Sequence, residues 1–205
     1  FKEANWYFYT KNDGLQNQSP LYVTDGLRGT ERLLLDPNTL SSDGTVALAL
    51  TAPSPDGKWL GYGLATGGSD WRELRLRDVA TGQDAADSVK WAKFTGMSWT
   101  HDAQGFFYSR YREPTGGDSK VFSKMENRQL CYHRVDTPQS DDRLVFALPE
   151  QPTWFPSGTV SSDGRYLILT VSQPGQRGNS VYYVDLGDAQ KPRFDGPVVK
   201  LIDQF

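Results

Sequence analysis

Cysteine is nearly missing from this chain of 205 residues: Cys131 stands alone, so no internal disulfide can form and the stapled frameworks of small secreted domains are excluded. That favours the cytoplasm as the compartment, with the periplasm as the alternative. Long apolar runs are also lacking. The best of them, VALAL at 46–50, falls far short of the roughly 20 residues a membrane helix needs, so no membrane role is expected. Like charges never cluster into a tail, and a net charge of −3 with a pI near 5.4 gives no basic footprint for nucleic acid. Histidine is limited to His101 and His133. The chain begins at Phe1, so neither an initiator methionine nor a signal peptide can be read, and the sequence reads as a piece of something longer.

An activated serine is missing too. The stretch GGSDW at 67–71 suggests a nucleophile elbow, but the elbow pattern G-x-S-x-G needs a small residue two positions after the serine, where Trp71 stands after Ser69. No other G-x-S-x-G occurs. With no nucleophile, His101 and His133 are read as a turn residue and a packed strand residue, and no catalytic residue is expected in these 205 positions. No metal ligand and no cofactor is expected either. Asn17-Gln18-Ser19 fits a glycosylation sequon, a three-residue match common by chance.

What is present is strand material and turns. There are 6 Trp, 10 Tyr and 10 Phe, and the 20 Gly and 12 Pro are spread along the chain, which suits many short strands joined by turns. APSPDGKWLGYG (52–63), SWTHDAQGFFYSR (98–110) and TVSSDGRYLILTV (159–171) share one plan: strand, a turn with Ser or Thr followed by Asp, then an aromatic or branched strand. Their turn aspartates, Asp56, Asp102 and Asp163, lie 102 − 56 = 46 and 163 − 102 = 61 residues apart, a spacing that fits a four-stranded unit with variable loops. A third alternating strand follows each hairpin, ELRLRDV (73–79), QLCYHRV (129–135) and SVYYVDL (180–186). Fourth strands follow at SVKWAKF (88–94), RLVFALP (143–149) and VVKLID (198–203). WYFYT (6–10), LYVTD (21–25) and RLLLD (32–36) read as the last three strands of a further unit. The expected fold is all-β: an incomplete β-propeller of four-stranded antiparallel blades, about three and three-quarter of them over residues 1–205, forming an open arc of a larger ring. A sandwich with repeated hairpins is the competing architecture.

YFYTKNDGLQNQSPLYV, LDPNTLSSDGTVAL, GGSDW, WAKFTGMSWTHDAQGFFYSRY and SSDGRYL, in this order along nearly the whole chain, resemble the propeller domain of the prolyl oligopeptidase family. The resemblance implies a two-domain serine peptidase that cleaves short peptides after proline, its propeller limiting access to an α/β-hydrolase domain that carries the Ser, Asp, His triad. That catalytic domain is absent from these residues. The partners so implied are short proline-containing peptides and the missing hydrolase domain of the same polypeptide. The resemblance further places Phe94, at the end of the fourth strand of a blade, in the apolar subsite for the residue two before proline. Phe155 in PTWFPSG falls at a second contact where the family often has methionine, and a third would fall near Gly175, which offers no side chain. Asp70 and Trp71 map to the interdomain face, where the aspartate approaches an arginine of the hydrolase domain beside the substrate. Core packing between blades is the plainer role for both phenylalanines, and a backbone-capping turn is the plainer role for Asp70. The loop 112–127 is a candidate gate or a surface insertion. A non-enzymatic propeller that binds a protein or peptide is the alternative function, and a sister peptidase with a preference for basic residues also fits this stretch.

Overall fold

The computed structural model describes residues 1–113 and 125–203, so most of the 112–127 loop lies outside the described residues. Sixteen strands appear among them, and no α-helix; short 3-10 turns at Pro37–Thr39 and Gln139–Asp141 are the helical pieces. No helix among the described residues is long and apolar enough to cross a membrane. The chain divides into two compact units, Phe1–Val89 and Lys90–Phe205.

In the first unit, β1 (Lys2–Glu3), β2 (Trp6–Thr10), β3 (Leu21–Asp25) and β4 (Arg32–Leu35) form one antiparallel sheet in that order. A second runs β5 (Val46–Pro53), β6 (Trp59–Thr66), β7 (Trp71–Asp78) and β8 (Asp84–Lys93), the last continuing through the division between units. Alternation along each strand sends every second side chain inward, and Phe8, Leu21, Val23, Leu34 and Leu35 of the first sheet pack with Leu60, Tyr62 and Val79 of the second. Arg77 ties the same sheets through polar atoms. It clasps Asp84 from Nε and Nη2 at 2.7 and 2.9 Å while its Nη1 donates to the Leu34 carbonyl at 2.7 Å.

The second unit repeats the plan. β9 (Ser98–Trp99), β10 (Gly105–Arg110), β11 (Gln129–Arg134) and β12 (Arg143–Ala147) make one set, β13 (Phe155–Val160), β14 (Tyr166–Ser172), β15 (Asn179–Asp185) and β16 (Val199–Ile202) the other. Phe107, Leu130 and Tyr132 pack with Leu167, Leu169, Val184 and Leu186 between them. Gly158 permits that approach: a Cβ there would stand 2.7 Å from Leu130 Cδ2. The fold is therefore all-β, built of antiparallel sheets of four or more strands that match an incomplete propeller, with β8 and β10 paired at Ala92 and Arg110. The N-terminal sheet adds the two-residue β1, and β8 starts earlier than expected and stops at Lys93, which leaves Phe94 beyond the strand.

The repeated turn has one chemistry. The hydroxyl of Ser54, Thr100 or Ser161 donates to the carboxylate of Asp56, Asp102 or Asp163 at 2.5, 2.6 and 2.5 Å. That carboxylate in turn accepts the backbone N–H two residues on, from Lys58, Gln104 and Arg165 at 3.0 to 3.1 Å. The residue after each aspartate is left-handed: Gly57 at φ +73°, Ala103 at +53° and Gly164 at +74°. Gly fits that region freely. Ala103 holds it inside the same hydrogen-bonded ring.

Candidate functional site

The sequence-predicted residues fall at turns and strand ends, and each is built from its own segment. GGSDW closes the β6–β7 hairpin. Gly67 and Gly68 both have positive φ, at +60° and +69°, and Ser69 N–H donates to the Thr66 carbonyl at 3.1 Å, the geometry of a two-residue turn with both central residues left-handed. The Ser69 hydroxyl then accepts the Trp71 N–H at 3.1 Å. Asp70 is exposed at this hairpin end, and Trp71 is half-buried at the start of β7.

Phe94 sits one residue past β8 with φ +50°, a left-handed backbone uncommon for a bulky residue, and its ring is 52% exposed. Lys93 holds its ammonium 5.2 Å from the ring centroid. Phe155 opens β13 opposite Ser172 and is half-buried. Two connections join these segments. Ser109 of β10, itself 1% exposed, donates its N–H to Thr95 Oγ1 at 2.8 Å and its hydroxyl to the Pro156 carbonyl at 3.0 Å, so it bridges the residues that follow the two phenylalanines. Asn127 N–H donates to the Pro152 carbonyl at 2.7 Å, and its neighbour Arg128 donates Nη2 to the Phe94 carbonyl at 2.6 Å. Ser109 and Arg128 were not singled out in the sequence, because nothing local marks either: their partners lie 14 to 47 residues away.

His133 Nδ1 lies 2.6 Å from Asp142 Oδ1, and both side chains are fully buried. The other Asp142 oxygen accepts the Tyr108 hydroxyl, whose pKa burial and the carboxylate push up, and Gln139 bonds that hydroxyl and both backbone groups of Lys90. His133, Asp142, Tyr108, Gln139 and Lys90 thus form one hydrogen-bonded network. His101 lies instead at the β9–β10 turn, against Gly164. Among the described residues no group of three or more His, Cys, Asp and Glu is arranged to hold a metal ion.

Comparison with known proteins gives one consistent result. The family model for the N-terminal β-propeller domain of prolyl oligopeptidase matches residues 1–205. A prolyl endopeptidase of Elizabethkingia miricola is 37% identical over 187 residues, covering 91% of this chain and 26% of the relative. The dual function macrocyclase-peptidase POPB of Galerina marginata is 32% identical over 206 residues, covering 91% of the chain and 28% of the relative. Among solved structures, one from a study of two prolyl endopeptidases and the role of inter-domain dynamics in their catalysis and specificity superposes with a TM-score of 0.85. It is 37% identical, over 99% of this chain and 28% of that one. Prolyl oligopeptidase B from Galerina marginata, bound to a 35mer hydrolysis and macrocyclization substrate, also gives 0.85 at 27% identity, over 98% of this chain and 30% of that one. The chain spans little more than a quarter of the length of the curated relatives it matches.

Proposed function

This chain belongs to the prolyl oligopeptidase family through its N-terminal β-propeller domain, and we propose that it serves a serine peptidase by controlling peptide access and by supplying apolar surface to the substrate residue two before proline. Catalysis itself belongs to an α/β-hydrolase domain of the same polypeptide. The observation that carries the reading is Phe94: a large ring left half-exposed, on a strained backbone that distant residues hold in place. Phe155 extends the apolar surface, since Ser109 ties the residues following the two rings to one buried anchor. Asp70, exposed at a hairpin end, orients an arginine of the hydrolase domain, with Trp71 beside it. A cytoplasmic setting goes with this reading, supported by the single cysteine.

Substrate length provides the test. Burying an aromatic side chain against a ligand is worth roughly 1.5 to 3 kcal/mol. In the complete enzyme, Phe94→Ala should therefore lower kcat/KM on the order of 10 to 100-fold for peptides with a large apolar residue two before proline. Peptides too short to reach the ring should be spared. An equal loss for both lengths would show that the ring serves packing, and the subsite reading would fall.

A further inference from the structure

We infer that Arg128 is a positioning residue for Phe94: its buried guanidinium holds the Phe94 carbonyl and so fixes the left-handed backbone that turns the ring toward substrate. The inference rests on the reading of Phe94 as a substrate-contacting ring, and it names the group that keeps that ring in place.

A bulky residue at φ +50° persists only where its surroundings over-determine it. No glycine turn does so here, and the strand pairing of β8 ends at Lys93. On the far side, Thr95 is fixed by its hydroxyl, which donates to the Gly96 carbonyl at 2.9 Å and accepts the buried Ser109 N–H. At Phe94 itself the restraint is the 2.6 Å bond from Arg128 Nη2, short because the donor is charged. Arg128 reaches it from the end of the loop before β11, where Asn127 takes φ +58° and anchors to the Pro152 carbonyl.

The burial of Arg128 is what makes this bond informative. The side chain is 6% exposed, its Nε has no hydrogen-bond acceptor among the described residues, and burial lowers the guanidinium pKa. Among the described residues its hydrogen-bond acceptor is the Phe94 carbonyl, which carries no full negative charge. A cation taken out of water onto a carbonyl is a poor stabilising device, since an apolar side chain of similar volume commonly does as well or better. Geometry, rather than stability, is what this arginine contributes.

The full-length peptidase that contains this propeller can decide the matter with two peptides, one bearing a large apolar residue two before proline and one starting at the residue before proline. The readout is the ratio of their kcat/KM values. Arg128→Met should lower the ratio about three- to tenfold through KM of the longer peptide, with the shorter peptide and the melting temperature close to wild type. Phe94→Ala should lower it at least as far, and the double variant no further than Phe94→Ala alone, because the two act through one ring. A wild-type ratio in Arg128→Met beside a collapsed ratio in Phe94→Ala overturns the role of Arg128 and leaves the Phe94 subsite standing. A wild-type ratio in Phe94→Ala overturns both. If Arg128→Met does not fold, Arg128→Gln, polar but too short to reach the carbonyl, carries the same expectation: a lowered ratio supports the role and a wild-type ratio ends it.

Discussion

Glycine at two positions of the second unit separates two costs that usually arrive together. Gly164 and Gly187 share φ +74°, but an added Cβ at Gly164 would stand 2.5 Å from His101 Cγ, whereas at Gly187 nothing lies within 4 Å. Left-handed backbone costs a side-chain-bearing residue about 1 to 2 kcal/mol, so Gly187→Ala should lose about that much. Gly164→Ala should lose more, by about 1 kcal/mol or above, since the imidazole must also be displaced. Urea unfolding of both variants checks this, and equal losses would mean that the His101 ring swings aside freely. Ala103 shows that the same turn can carry a methyl. Residue-scale facts of this kind were only half legible in the sequence. The Ser/Thr and Asp spacing of the turns could be read because their hydrogen bonds close within five residues. The left-handed turn at Phe94 could not, because its restraint comes from Arg128, 34 residues away. Nor could the burial of Arg128, at the end of a polar loop that composition alone assigns to solvent.

Strands are bound to one another unequally, and the charged clasp on β7 and β8 gives the first unit a defined pH range. Burial works against the Asp84 carboxylate, but bonds from Arg77 and Tyr62 outweigh it and hold its pKa below the ordinary value. Burial, followed by the charge of Asp84 and its hydrogen bond, pushes the Tyr62 hydroxyl up to about 12. A lowered acid stabilises the fold above its unfolded pKa, near 3.9, and that contribution is lost as the pH falls through the folded value. A raised phenol stabilises below its unfolded pKa, near 10, and its contribution fades as the pH climbs toward 12. The clasp should thus be fully effective between about pH 4 and pH 10. Because Asp84 is partly exposed, its share is about 1 kcal/mol. Asp84→Asn should accordingly lower stability at pH 7 by that amount and flatten the acid limb of a stability-against-pH curve. An unchanged acid limb would place the sensitivity elsewhere. At this scale the sequence was most informative: period-two alternation located the strands, while β8 ends at Lys93, one residue short of the expected Phe94.

At the scale of the whole chain, chemistry and architecture are separated. Among the described residues the single His–Asp pair is buried, and the Ser69 hydroxyl accepts the Trp71 N–H within its own turn. The purified 205-residue chain should therefore leave proline-containing peptides intact. Turnover that a serine-directed inhibitor abolishes would refute this. The family was legible from motif order along the chain, while the way Ser109 gathers the Phe94 and Phe155 segments was not, since each of its bonds spans a different sequence distance.

Cys131 is 1% exposed in β11, and burial raises its thiol pKa to about 11, so at neutral pH the sulfur is neither ionised nor reachable. The 205-residue chain, its one thiol silent, is already prepared for site-directed labelling. A cysteine placed at an exposed position such as Leu144 or Leu201 would be the only address a maleimide dye can find, and its native counterpart would become visible to such a reagent only on unfolding.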